Sequence, residues 1–513
     1  MDKHHIAAFD SLEELKEFVK GDCALNKLGL IVKTRNGVTK ARMILDTKQS
    51  KVKHASTQSQ RVTLPRPFDA ILHLLYLMTI SMACASAAEG LAAFVLDFSD
   101  AFWQVPLLQQ EFKYYCATGL IRGLRKWIAF LRAPQGSSAA PTLWGRVAAL
   151  LMRLTQSLID PDELRLVCYV DDPLAAIRGT PERRRLLVTL LILVWNALGF
   201  KLAFKKGQLG QVVTWIGITV TIEIGGIRAK VKQEIIDDII ADLKRFRHLN
   251  VIPKKDLHSL LGKLSHVSGL LIVMRPFMLP LWAAWGGPSP DDKPGCIWAR
   301  QIETEEEWFR AFFTGHGTSV ERFFAIDAYN RNGTKVTIGT DASPLGLGGW
   351  IAIDGTIIEY FSSPITKDDV RKYGYAVGES AGQQCWEALA MLVAVDKWTS
   401  HWNRERIVLT VKGDNVTALT MLIKMRPKTD DAGASKIAIV ARELALRLVD
   451  LSFPPDAEHT PGMSHIFADM LSRVDAPVAN KGMGGVLAPD AHPAMLHSTR
   501  VTVPTRGTHW YKA

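Results

Sequence analysis

The sequence is poor in cysteine. Six occur in 513 residues, at positions 23, 84, 116, 168, 296 and 385, scattered and never as a CxxC pair. That pattern excludes a disulfide framework and a paired-cysteine zinc site, and fits reduced thiols inside a cell. An apolar signal core is also missing, because the N-terminal stretch "MDKHHIAAFDSLEELKEF" is polar and carries acids. There is no internal repeat, so a solenoid is not expected. Long apolar runs are limited to two, "AILHLLYLMTISMACASAA" (70–88) and "LLVTLLILVWNALGF" (186–200). The first is long enough to span a bilayer. Its Ser, Thr and small residues, with Asp69 and Glu89 at its flanks, favour a buried core helix, and the second run reads the same way.

What is present is the material of a globular protein. Hydrophobic residues make up 48% and charged residues 22%, enough for large cores, and the length implies two to four structural units. The formal net charge of +11 points to an acidic partner, nucleic acid first, with an inert basic surface as the even alternative. Residues 28–46, "LGLIVKTRNGVTKARMILD", read as a hairpin turning at Asn36-Gly37, because that dipeptide accepts positive φ. The hairpin carries Lys33, Arg35, Lys40 and Arg42. From 90 to 225, β-like runs alternate with helical segments, an α+β pattern. Residues 231–249 form an amphipathic helix with Ile235, Ile236, Ile239, Ile240 and Leu243 on one face, and a second helix follows Pro253. "GGPSPDDKPG" (286–295) reads as a linker and "NRNGT" (330–334) as a boundary. Strands and helices then alternate to about 475, and the Gly-, Pro- and His-rich stretch 476–513 is expected to be poorly ordered.

Two constellations of acids carry the chemistry. "AFVLDFSDAFWQVPL" (93–107) is an apolar strand ending at Asp97, and "CYVDDPL" (168–174) is a second, ending at Asp171 and Asp172. Either alone is an ordinary strand-ending turn. Paired side by side, the two strands would bring three carboxylates together, and such a cluster needs cations. Two Mg²⁺ ions about 3.5–4 Å apart are the usual solution for in-line phosphoryl transfer.

The pieces between them extend the pattern. "VLDFSDAF", "APQGSSAAPTLW" (133–144), "YVDD", "LGFKLAFKKGQ" (198–208) and "TWIGITV" (214–220) resemble, in order and spacing, motifs A to D and the primer-grip hairpin of the reverse transcriptases of retroviruses and retrotransposons. The resemblance spans about residues 25–275. It implies that Asp97 and one or both of Asp171 and Asp172 hold two Mg²⁺, Asp171 directly and Asp172 as a ligand or mainly as charge, with Mn²⁺ as the alternative ion. It implies that Asp100 and Ala101 offer backbone amides to a deoxynucleoside triphosphate, that Phe102 excludes a 2′-hydroxyl, and that Gln135 and Gly136 contact the nucleotide. Arg35 and Arg42 would clamp its phosphates, and Lys206 is a candidate proton donor to pyrophosphate. Core packing is the plain reading of Phe102, and solvation that of Lys206. The helix "DLHSLLGKLSH" (256–266) resembles the thumb helix that follows the primer–template groove, with Gly262 permitting close approach. His258 and His266 depart from the family pattern there.

A second set lies downstream. Asp341 and Asp414 end β-like runs, Glu387 sits in "QQCWEALAMLVAV", and "EHTPGMSHIFADMLSR" places His459 ten residues before Asp469, with Ser464 as a possible helix cap. Each has a bland reading alone. Together they resemble the D-E-D-D set and loop histidine of ribonuclease H, which implies metal-assisted cleavage of RNA in an RNA–DNA hybrid.

The expected architecture is a right-hand polymerase of α+β class followed by an α/β ribonuclease H-like domain. The divisions are 1–225 fingers and palm, 226–285 thumb, 286–333 a short connection, 334–475 ribonuclease H, and 476–513 a tail. Expected partners are an RNA template, a DNA primer, RNA–DNA hybrid and deoxynucleoside triphosphates, with no membrane, in a cytoplasmic or particle-associated setting. The alternatives are a silent remnant that only binds nucleic acid, and an RNA-dependent RNA polymerase. The first conflicts with the full set of acids and the second with Phe102 and the downstream set. No zinc knuckle, supported aspartic-protease signature or integrase-like zinc segment is found, which suggests a polyprotein fragment or a reading frame limited to these activities.

Overall fold

In the computed structural model the chain forms two compact units, Met1–Ile222 and Glu223–Ala513. The structure describes all residues except 1–3, 36–37, 57–61, 84–89, 317–319, 402–406, 427–433, 449–450, 452, 475, 478–492, 504–505 and 507–513.

The first unit is centred on an antiparallel sheet of β1 (Gly90–Val95), β2 (Leu164–Tyr169), β3 (Asp172–Gly179) and β4 (Gln208–Gly210), in the order β2-β3-β1-β4. Residues Leu91 to Val95 of β1 are all buried, which is why this strand reads as an unbroken apolar run. Helix α1 (Ala140–Ser157) packs with Ala140, Trp144, Ala148, Leu151, Met152 and Thr155, a spacing that keeps one helical stripe inward. Helix α2 (Pro181–Ala197) starts where Thr180 accepts the Arg183 amide, with Pro181 preset in its first turn. Trp144 and Trp195 meet Phe98 beneath the sheet. A hairpin of β5 (Val212–Trp215) and β6 (Ile218–Glu223) ends the unit.

A second sheet in this unit includes the expected hairpin, Leu25–Arg35 paired with Val38–Asp46. Its Asn36-Gly37 turn lies outside the described residues. The apolar run after Asp69 forms the helix Pro67–Ala83, with Ala70, Ile71, Leu74, Leu75, Leu77 and Met78 buried. Among the described residues no helix is long and apolar enough to cross a membrane.

In the second unit the strand Gly226–Val231 leads into the amphipathic helix Gln233–Phe246, which buries Ile236, Ile239, Leu243 and Phe246 and leaves Ile235 and Ile240 half-buried. The interval expected to be a linker is largely folded. Cys296–Trp298 pairs with Val251–Pro253, Glu303–Ala311 is a helix, and Glu321–Ala325 pairs with Gly226–Val231. The turn-rich "PSPDDKPG" draws attention away from the apolar residues downstream of it. Phe309 and Phe312 are buried, and Trp308 stacks on Phe277 at 3.5 Å.

The rest of this unit is built on a mixed sheet. Its strands are β7 (Thr334–Ala342), β8 (Gly346–Ile353), β9 (Thr356–Pro364), β10 (Ile407–Gly413), β11 (Asp456–His459) and β12 (Thr499–Arg500), in the order β11-β10-β7-β8-β9-β12. The meander β7-β8-β9 is antiparallel, and β10, β11 and β12 join parallel to their neighbours. Helices α3 (Lys367–Tyr373), α4 (Gln383–Trp398) and α5 (Ile466–Ser472) accompany it, and α4 is buried almost throughout.

Part of the stretch expected to be a loose tail belongs to this sheet. Thr499–Arg500 extends its edge as β12, and Arg506 is 2% exposed. The Arg506 guanidinium donates from Nε to both oxygens of Asp369, from Nη1 to Ser363 Oγ at 3.0 Å, and from Nη2 to the Pro364 carbonyl at 2.7 Å. Composition misses this because one arginine with an internal partner outweighs a polar neighbourhood. Breaking a buried pair from one side leaves a stranded charge, which costs about 3–5 kcal/mol. Arg506→Ala is therefore expected to lower the urea midpoint of the second unit sharply. The double change Asp369→Asn with Arg506→Met should lower it less, as read by chemical denaturation of the full chain.

Candidate metal centres

The hairpin between β2 and β3 sets the first site. Tyr169 pairs with Asp172, so the turn contains only Val170 and Asp171. Val170 has φ of 55°. That left-handed conformation is unfavourable for a β-branched residue and is taken by glycine in turns with positive φ at the first position. Asp171 and Asp172 then project beside Asp97, which follows β1. One oxygen from each of the three carboxylates lies within 4.8 Å of the others.

Crowding and burial leave a clear electrostatic mark. Burial pushes the Asp171 carboxyl above the usual carboxylate range, and the Asp97 charge adds to it. Burial, then the charges of Asp171 and Asp97, push Asp172 up to about 7. The Arg42 and Lys206 charges pull Asp171 the other way. Lys206 is ion-paired through Nζ to Asp97 Oδ2. Burial works against the Lys206 ammonium, but the hydrogen bond and charge of Asp97 outweigh it and raise its pKa. Asp97 Oδ1 is buried without a hydrogen-bond partner. Hard oxygen donors, mutual repulsion and an unsatisfied buried oxygen together fit a divalent cation of the Mg²⁺ type.

The other candidates of this unit fall around that cluster. Asp100 is exposed with φ of 53°, and Ala101 is buried at the start of the following turn. Phe102 is half-buried and packs against the core beneath the sheet. The Gln135 carbonyl accepts the Leu45 amide at 2.8 Å. Gly136 has φ of 99°, and a Cβ there would fall 2.5 Å from Ile44 Cγ2 and the Leu45 carbonyl. Glycine is thus required by the hairpin strand pressed against it, whatever else approaches. Arg42 is exposed, and the Arg35 side chain lies outside the described residues.

In the second unit Gly262 is exposed on the helix Lys254–Val267, and beyond its chain neighbours and the helix's own backbone no atom lies within 4 Å of where its Cβ would be. His258, on the same helix, stacks on Trp285 at 4.9 Å.

The second site joins Asp341 from β7, Glu387 from α4 and Asp414 just after β10, again with one oxygen each within 4.8 Å. Asp341 and Glu387 are buried and Asp414 is half-buried. Burial is the main reason that Asp341 rises to about 7, with the Asp414 and Asp469 charges adding and the Ser472 hydrogen bond opposing. Burial, then Asp341 and Asp414, push Glu387 well above its ordinary value. Asp469 is not one of the three clustered acids, and its Oδ1 accepts the Arg473 guanidinium at 2.6 Å. His459 is exposed, with Nε2 donating to the Asp414 carbonyl at 3.0 Å. Ser464 does not cap α5; His465 stands at that position without a side-chain cap bond.

Two residues passed over in the sequence build this site. Ser472 donates to Asp341 Oδ2 at 2.7 Å, and His465 donates from Nε2 to the Thr340 carbonyl at 2.8 Å. Both are buried. The signal for them is Gly348, where a Cβ would stand 2.4 Å from the Ser472 amide, so α5 lies directly on the strand.

Comparison with known proteins adds to the first site. Residues 31–220 match the family model described as reverse transcriptase (RNA-dependent DNA polymerase). These residues form a reverse transcriptase domain. The match holds Asp97, Asp171 and Asp172 and ends before the second cluster begins. No curated protein matches the chain. Among solved structures, the chain is similar at a TM-score of 0.43 to three of the foamy viral protease-reverse transcriptase. One is the dRH form with double-stranded DNA (15% identity, 90% of this chain, 68% of that one). Another is with RNA/DNA hybrid (14%, 89% and 52%), and a third with double-stranded DNA (16%, 89% and 80%). The chain thus spans about half the length of the hybrid-bound protein.

The raised carboxyls imply a pH-dependent response to cations. Asp172 and Asp341 bind protons more tightly folded than unfolded, where the pKa is about 3.9. Folded stability therefore falls as pH rises from about 4 through 7, and the full penalty holds above 7. A cation that neutralises the clusters relieves that penalty. The Mg²⁺-induced rise in Tm is expected to be larger at about pH 8 than at about pH 5.5. Scanning fluorimetry showing equal rises, or none, would contradict this.

Proposed function

We propose that the chain is an RNA-directed DNA polymerase whose second unit degrades the RNA strand of RNA–DNA hybrids, in the service of retroelement replication. The observation that carries the polymerase reading is the convergence of Asp97, Asp171 and Asp172 inside the residues that match the reverse transcriptase family. A divalent cation held there, two Mg²⁺ or Mn²⁺ in this reading, supplies charge neutralisation for phosphoryl transfer from a deoxynucleoside triphosphate to a primer 3′-hydroxyl. The chain's own residues do the rest. The three acids fix oxygen donors in one place, Arg42 adds positive charge beside them, and Phe102 forms a wall against a 2′-hydroxyl. Lys206, ion-paired to Asp97, is in this reading the candidate proton donor to a departing pyrophosphate.

The hydrolytic reading rests on a separate observation, the second cluster of Asp341, Glu387 and Asp414. In this reading the acids bind cations, Asp469 adds negative charge next to Asp341, and His459 assists proton transfer from its place on the Asp414 carbonyl. The assignment of 1–225 as fingers and palm, 226–285 as thumb, 286–333 as connection and 334–475 as ribonuclease H belongs to this proposal. So do its partners, RNA template, DNA primer and hybrid.

Primer extension on an end-labelled RNA template tests both halves. The wild-type chain should extend DNA and cut RNA. Asp171→Asn should lower extension by at least about a thousandfold, more than the loss of one electrostatic stabiliser in a catalytic site, and leave cutting intact. Asp414→Asn should do the reverse. Extension that survives Asp171→Asn would sink the polymerase reading, and cutting that survives Asp414→Asn the nuclease reading.

A further inference from the structure

The turn that carries Asp171 and Asp172 is held from three sides. Trp144 Nε1 donates to the Val170 carbonyl at 2.6 Å, the Phe98 amide to the Asp171 carbonyl at 2.9 Å, and Trp215 Nε1 to the Asp172 carbonyl at 2.9 Å. Three consecutive carbonyls thus accept donors from α1, from the segment after β1, and from β5. Trp144 and Trp215 are buried at 0% and 1% exposure. The Phe98 amide also belongs to the residue after Asp97, so the same bonds tie the first acid to the other two.

We propose that Trp144 and Trp215 are positioning residues that hold the Val170–Asp172 backbone so that the carboxylates of Asp171 and Asp172 converge with Asp97 on a divalent cation. The proposal rests on the reading of these acids as a cation site. Three forces act to open the turn: repulsion between adjacent carboxylates, their desolvation, and the left-handed conformation of Val170. A free hairpin turn would relax by rotating its peptide units. Rotation here breaks a hydrogen bond and strands a buried indole N–H, which costs about 1–3 kcal/mol.

The plain alternative is that each tryptophan merely satisfies its own N–H. Pairing is not automatic in this chain, because the buried Nε1 atoms of Trp350 and Trp386 have no hydrogen-bond partner. A third tryptophan separates the two explanations. Trp195 is equally buried in the core below the same sheet, but its Nε1 donates to Thr155 Oγ1 at 2.9 Å and not to the turn. Phenylalanine at each position keeps a ring and removes the donor.

The test uses the full chain carrying Asp341→Asn and Asp414→Asn, so that Mn²⁺ binding reports the first cluster. Trp144→Phe, Trp215→Phe and Trp195→Phe are compared by electron paramagnetic resonance of free Mn²⁺ and by Tm. Trp144→Phe and Trp215→Phe are each expected to weaken Mn²⁺ binding about tenfold, the size of one lost hydrogen bond. Trp195→Phe should lower Tm comparably and leave Mn²⁺ affinity unchanged. Primer extension by Trp144→Phe should recover as Mn²⁺ is raised, which a folding defect would not allow. Equal Mn²⁺ affinity in all three variants would overturn the proposal. Absence of Mn²⁺ binding that Asp171→Asn removes, in the chain with all three tryptophans, would instead overturn the cation-site reading beneath it.

Discussion

Carboxylates gathered within 4.8 Å of one another repel, and both units of this protein are organised around holding such a group. In each, strands whose apolar runs end in acid supply aspartates, and in the second the helix α4 adds Glu387. Burial of the run leaves the acid at the strand end, and pairing of neighbouring strands brings the acids together. Desolvation then makes the cluster costly without a positive charge beside it. Elevated proton affinities in both clusters are the sign that the cost is present.

The two clusters are relieved differently. In the first, Lys206 reaches Asp97 while one Asp97 oxygen stays buried without a partner. In the second, neutral donors make the contacts, Ser472 to Asp341 and Gln383 Nε2 to Glu387 at 2.8 Å, and the Arg473 charge acts on Asp341 as well. A mobile ammonium can leave when a stronger cation arrives, whereas fixed hydroxyl and amide donors orient the carboxylates and stay.

Much of this was legible in the sequence because chemistry and periodicity coincide there. An apolar run ending in Asp is visible at 93–97, 167–172, 336–341 and 407–414, and the structure places those acids in two clusters. What was hidden depends on long-range contacts that leave no local pattern. Trp144 and Trp215 lie in the quoted stretches 133–144 and 214–220 with no role assigned, yet their indoles bind the acidic turn. Ser472 carries no signal of its own in the sequence, and the absence of a Cβ at Gly348 lets its helix lie against the strand so that it reaches Asp341. Gly136 reads as a nucleotide contact, while its immediate neighbour is the hairpin strand. Arg506 sits in a stretch with the composition of a tail and finds its partner 137 residues earlier.

The central claim is that each unit holds divalent cation at its own carboxylate cluster. Anomalous X-ray scattering from crystals soaked in Mn²⁺ measures that directly. Peaks are expected among Asp97, Asp171 and Asp172 and, independently, among Asp341, Glu387 and Asp414. Ordered side chains at both clusters with no anomalous peak at either would contradict it.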